Sequence, residues 1–198
     1  MTKNYQIDKW FPKVIYRVDN FSENINEDLK HSVLNLHFSN SKRNNYLYVD
    51  STHQTNPKLH FEEPFKSLKN NIQTEIQNFL TEYGYNENIC KNCLVNDMWV
   101  NVSDKGDYNF PHNHAGSLVS GVYYVEANDG NLINFYDNMS EALPVAHNPN
   151  EYSYKEVSYE CRTNRLFLFF GNMVHGNPRQ DFMGRKIAIS FNTLVKYD

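Results

Sequence analysis

The sequence predicts a mainly β fold with N-terminal helices (α+β), a sandwich or barrel-like jelly roll whose helices pack on one outer sheet face. Three observations carry this. Two amphipathic helical patterns fall before residue 90, six short β-type runs follow it, and the runs are separated by Gly, Asn, Asp and Pro.

Taken in order, Phe11–Val18 ("FPKVIYRV") is β-branched and aromatic and reads as a first strand. After Phe21, Ser22 stands where a helix cap belongs, and Ile25, Leu29 and Val33 recur every four residues. Ser39 to Pro57 has no sustained period and reads as a long surface loop around a short extended "YLYVD". Phe65, Leu68, Ile72, Ile76, Phe79, Leu80 and Tyr83 recur at three and four residues, and Gly84 follows as a C-terminal cap. This is the strongest helical signal in the chain. The runs "LVNDMWVNV", "LVSGVYYVE", "NLINFYD", "YSYKEVSYE", "LFLFF" and "KIAISFNTLV" then read as strands. The expected organisation is one domain over 1–198, with 1–90 giving helical support and first strands and 91–198 the β core.

Composition narrows the function classes. Nineteen basic and 23 acidic residues give a formal charge of −4, without the basic footprint that grips nucleic acid. No apolar run reaches the ~20 residues that span a bilayer, and "MTKNYQIDKW" lacks a signal-peptide core, so a soluble cytoplasmic protein is expected. Cys90, Cys93 and Cys161 are an odd set; "CKNC" has no partner pair to complete a zinc site, so they read as structural thiols without a disulfide.

The chemistry gathers in "NFPHNHAGSLVSGVYYV", Asn109 to Val125. His112 and His114 share parity, so in an extended strand both side chains leave one face and can converge on an ion. His175, in "LFLFFGNMVHGNP", closes another apolar strand and offers a third imidazole. Three neutral imidazoles suit Fe, Zn, Cu or Ni and leave coordination positions open. His31, His37, His53, His60 and His147 have no such pairing and read as solvent-facing or structural. In "MGRKIAISFN", Lys186 and Arg185 are candidates for binding the far carboxylate of an anionic cosubstrate. Parity assigns bulky Ile187, Ile189 and Phe191 to the helix side and Lys186, Ser190 and Asn192 to the interior; Arg185 remains a close second. Asn101 and Tyr124 are further candidates for lining the pocket, and Asp137 for supporting a histidine.

These pieces, from Trp99 to Asn192, resemble the iron(II)- and 2-oxoglutarate-dependent oxygenases, in particular the prolyl-hydroxylase-like group with "HxHxGSxxSGVYYV". The resemblance implies a double-stranded β-helix core, Fe(II), 2-oxoglutarate as cosubstrate and O2. It implies oxidation of a second substrate, a small molecule or a protein or peptide, coupled to conversion of 2-oxoglutarate to succinate. By position, His112 and His175 correspond to the first and distal metal ligands, and Lys186 or Arg185 to the carboxylate anchor. His114 departs from the pattern, standing where the wider superfamily has Asp or Glu. A cupin-type three-histidine metalloenzyme is the alternative, since "GDYNFPHNH" matches that opening, but Leu118 and Val119 stand where its Glu belongs. A non-catalytic jelly-roll binding module is the third reading. Residues alone leave the oligomeric state open.

Overall fold

The computed structural model describes residue 6 and residues 11–36, 38, 47–137, 146–181 and 184–196. His37 and parts of the two polar stretches around 39–46 and 138–145 lie outside the described residues.

The chain opens with strand β1 (Ile15–Val18), shorter than the apolar run that announces it, because Pro12 and Phe11, at φ 58°, precede it off the ladder. A 3-10 turn at Glu23–Ile25 leads into α1 (Asn26–Leu34), which buries Leu29 and Val33. Ser22 is not the side-chain cap expected; it adopts a left-handed conformation and makes no capping bond. The short extended pieces β2 (Leu47–Tyr48) and β3 (Asp50–Ser51) follow. Helix α2 (Phe65–Tyr83) has the predicted face, with Phe65, Leu68, Ile72, Ile76, Phe79 and Leu80 buried. Gly84 ends it at φ 96°, where a Cβ would strain the backbone, and its N–H bonds back to Leu80 and Thr81 carbonyls. A short helix that periodicity did not announce, α3 (Glu87–Asn92), is capped by Asn86, whose side chain accepts from Ile89 N–H.

The strands β4 (Cys93–Ser103), β5 (Tyr108–His112), β6 (Val119–Glu126), β7 (Leu132–Tyr136), β8 (Glu156–Glu160), β9 (Leu166–Phe170), β10 (Val174–Asn177) and β11 (Lys186–Val195) complete two antiparallel sheets. One runs β1-β9-β6-β11-β4-β3 and the other β2-β5-β10-β7-β8. Strand alternation sorts the side chains into two cores. Met98, Val100, Tyr123, Leu166, Leu168, Ile187, Ile189 and Phe191 face α1 and α2, while Val122, Tyr124, Phe167, Phe169, Ala188, Ile133 and Phe135 meet between the sheets. The helices therefore cover one face of the six-stranded sheet, and the inter-sheet space is left for a site. The three cysteines are free and buried, and no helix among the described residues is long and apolar enough to cross a membrane.

Candidate metal centre

His112 ends β5 and His175 lies in β10, where the two residues are directly paired across the antiparallel ladder. The next pair in register is Asn109 with Asn177, three residues along β5 but two along β10. That extra residue is a β-bulge at Phe110–Pro111, and it turns both Asn109 and His112 toward the inter-sheet cavity. Proline fits there because a bulged residue needs no ladder N–H. Gly176 admits the close approach: a Cβ on it would lie 2.8 Å from the Asn109 carbonyl oxygen.

His114 is not in an extended strand with His112. β5 stops at His112, and His114 sits in the following turn, its N–H bonded to the Gly171 carbonyl at 2.7 Å. His175, likewise, is not at an opposite strand end but inside a short strand beside β5. Tertiary hydrogen bonding, not strand parity, brings these side chains together. The ligand atoms of His112, His114 and His175 lie within 4.8 Å of one another, and Nε2 of His114 and His175 are 3.3 Å apart.

Backbone carbonyls orient two of the rings. His112 Nδ1 lies 2.8 Å from the Phe110 oxygen and His175 Nδ1 3.0 Å from the Met173 oxygen. A carbonyl can only accept, so Nδ1 carries the proton and Nε2 presents its lone pair to the centre. Burial, then the neighbouring His112, lower the pKa of His114 to about 4. Burial lowers His175 to about 3, with His112 adding to the effect and the Met173 carbonyl opposing it. Both are neutral at pH 7, the state in which imidazole binds a metal.

The centre opens into a cavity of about 370 Å³. Its floor is built by alternate residues of β4 (Trp99, Asn101, Ser103) and β11 (Lys186, Ala188, Ser190), with Val122 and Tyr124 from β6 beside them. Lys186 is 3 % exposed, and its Nζ has no hydrogen-bond partner among the described residues. Desolvation lowers its pKa, against the pull of the Cys161 thiol and Asp107. Arg185 points elsewhere: it is exposed, and its Nε is 3.5 Å from Asp104 Oδ1. Asn101 donates to Ser190 Oγ at 3.2 Å, and the Tyr124 hydroxyl is buried near Cys161. Asn192 does not reach the cavity wall; its amide oxygen accepts from Ser120 Oγ at 2.8 Å. A polar residue of the right parity was engaged by its neighbouring strand instead. Asp137 pairs with Lys13 at 2.5 Å and is not among the residues that line the cavity.

Two residues that sequence reasoning passed over stand at the cavity mouth. His53 and Gln54 follow β3 on a turn clamped to β4, where Thr52 N–H donates to the Val100 carbonyl and Val100 N–H to Thr52 Oγ1, both at 3.0 Å. The His53 ring rests edge-on to Trp99, with centroids 4.6 Å apart. No local pattern could have marked them, because the β3–β4 pairing puts them there.

The donor set fits a borderline divalent ion, and the unpartnered ammonium of Lys186 fits a carboxylate entering the same cavity. Residues 97–192 match the family model described as "Putative 2OG-Fe(II) oxygenase". Solved structures of similar fold include HygX from Streptomyces hygroscopicus with nickel and 2-oxoglutarate bound (9% identity, 93% of this chain and 84% of that one, TM-score 0.65). A Pseudomonas putida prolyl-4-hydroxylase aligns at 10% identity over 93% of this chain and 94% of its own, with TM-score 0.58. A Trichoplax adhaerens prolyl hydroxylase, in complex with a hypoxia inducible factor oxygen degradation domain peptide fragment, aligns at 16% identity over 90% and 83%, with TM-score 0.56. A search of curated proteins finds no match. At these identities the structures show the shared double-stranded β-helix, and the family match adds that residues 97–192, just under half of the chain, are similar to the iron(II)- and 2-oxoglutarate-dependent oxygenases.

Proposed function

We propose that the protein is an Fe(II)- and 2-oxoglutarate-dependent dioxygenase that hydroxylates a small molecule or a protein or peptide side chain. The observation that carries this reading is the buried Lys186 Nζ, without a partner, in the cavity that holds three inward-facing imidazoles. An uncompensated buried ammonium is costly, and a dianionic cosubstrate would relieve it.

In this reading His112, His114 and His175 hold the iron. The Nδ1–H bonds of His112 and His175 to backbone carbonyls keep their Nε2 lone pairs on target. Lys186 receives the distal carboxylate of 2-oxoglutarate, and Asn101, Ser190 and Tyr124 line the channel between anchor and metal. Asn192 and Arg185 have no direct part. When bound, iron and 2-oxoglutarate supply the oxidation: 2-oxoglutarate and O2 become succinate and CO2, and one oxygen atom enters a C–H bond of the substrate. The apolar walls, Val122, Ile133, Phe169 and Ala188, exclude water from the reacting groups.

The cupin-type alternative needs a carboxylate near the histidines. Val119 instead is fully buried in the helix-side core, and Leu118 packs against that core. Anaerobic titration with Fe(II) and 2-oxoglutarate tests the proposal. A visible charge-transfer band of the chelate is expected; its absence, with succinate never formed in air, overturns the reading.

A further inference from the structure

The cavity also constrains what is oxidised. At about 370 Å³ it is near the lower end of ligand pockets, roughly 300–1,000 Å³, and on the dioxygenase reading it must hold the cosubstrate as well. No Asp, Glu or Arg lines it among the described residues, and Lys186 is its one lysine. Once that cation meets the cosubstrate carboxylate, no ionised aspartate, glutamate, arginine or lysine is left to pair with a charged group brought in by the substrate. A charge entering unpaired would lose its hydration with no opposite charge to compensate it. The mouth, by contrast, offers neutral hydrogen-bonding groups on a rigid frame: Gln54 and His53 on the turn clamped by Thr52, above the wall of Trp99.

We infer that the part of the prime substrate that reaches the centre is an uncharged polar group of about side-chain size, held at the rim by His53 and Gln54 and packed against Trp99. This rests on the dioxygenase reading and adds the substrate class. Its two sources, a side chain in a polypeptide and a free neutral metabolite, share this chemistry.

Trp99 gives the readout. The sequence has two tryptophans, so Trp10→Phe leaves Trp99, in the cavity wall, as the single indole. With zinc in place of iron no turnover occurs, and fluorescence reports binding alone. 2-Oxoglutarate is titrated first; if it fails to bind, the dioxygenase reading falls and this inference with it. With 2-oxoglutarate saturating, the probes are the N-acetyl N-methylamides of asparagine, lysine and glutamate, together with glucose. A neutral probe should bind at least tenfold more tightly than either charged one. Asparagine ahead of glucose assigns the group to a polypeptide, and glucose ahead assigns it to a metabolite. His53→Ala should weaken the preferred neutral probe severalfold, and Gln54→Glu should raise lysine-probe affinity about tenfold. If 2-oxoglutarate binds but a charged probe equals the neutral ones, or no neutral probe binds, or Gln54→Glu leaves the ranking unchanged, the rim assignment is overturned and the dioxygenase reading stands.

Discussion

His112 and His175 are directly paired residues on adjacent antiparallel strands, with ring centroids 4.6 Å apart. Each donates Nδ1–H to the carbonyl two residues before it, Phe110 and Met173. The ladder thus presets two imidazoles before any ion arrives, and the third comes from the turn that follows β5.

Because the ladder and the two apolar cores hold the strands without a metal, His175→Ala should remove metal binding and leave the fold. In wild type, a divalent metal at 100 times its Kd should add about 2.7 kcal/mol of stability, seen as a rise in melting temperature. In the variant that rise should vanish, while the metal-free melting temperature shifts modestly. Loss of the folded circular-dichroism spectrum in the variant would contradict this.

Gly171 holds the turn that carries His114. A Cβ there would lie 2.2 Å from the Ser117 carbonyl oxygen and 2.8 Å from that of His114, both backbone atoms that cannot swing away. Gly171→Ala should therefore cost about 1–3 kcal/mol by overpacking and weaken metal affinity more than His53→Ala does. Isothermal titration with zinc, beside denaturant unfolding, measures both.

Lys186 should show opposite effects on stability and binding. Lys186→Met replaces an unpaired buried ammonium with an apolar chain of similar length, so the ligand-free protein should become more stable. Loss of a charge-assisted contact of ~1.5–3 kcal/mol should lower 2-oxoglutarate affinity on the order of 10- to 150-fold. Arg185→Ala, at an exposed pair with Asp104, should change neither by much. Equal losses of affinity in the two variants would remove Lys186 as the anchor.

Acid should destabilise the metal-free protein early. The folded pKa of His175, about 3, is below the unfolded value near 6.5, so the unfolded chain binds more protons and stability falls as pH drops below about 6.5. The fall should continue toward pH 3, amounting to on the order of 2 kcal/mol by pH 4.5 from this residue, with a comparable share from His114 that levels off below about pH 4. Bound zinc should flatten the profile above pH 5, since a metal-ligated nitrogen cannot take a proton. Unfolding free energies from pH 7 to 4, with and without zinc, would check the sign.

Elements whose cause is local can be read along the chain. The α2 period with Gly84, and the alternation that splits Ile187, Ile189 and Phe191 from Lys186, Ala188 and Ser190, are written in residue order because side-chain direction repeats every 3.6 or 2 residues. The histidine motif and its likeness to the oxygenases were legible for the same reason: the residues stand in fixed order along the chain. Features that depend on neighbours become visible only in the packed chain. The bulge at Phe110–Pro111 reset the parity of β5, and Gly171 rather than a strand placed His114. Asn192 shared the parity of Lys186 yet was taken by Ser120. His53 reached the cavity because Thr52 is clamped to Val100. Each turns on a hydrogen bond or close approach between segments distant in sequence, and periodicity along one segment carries no information about its partner.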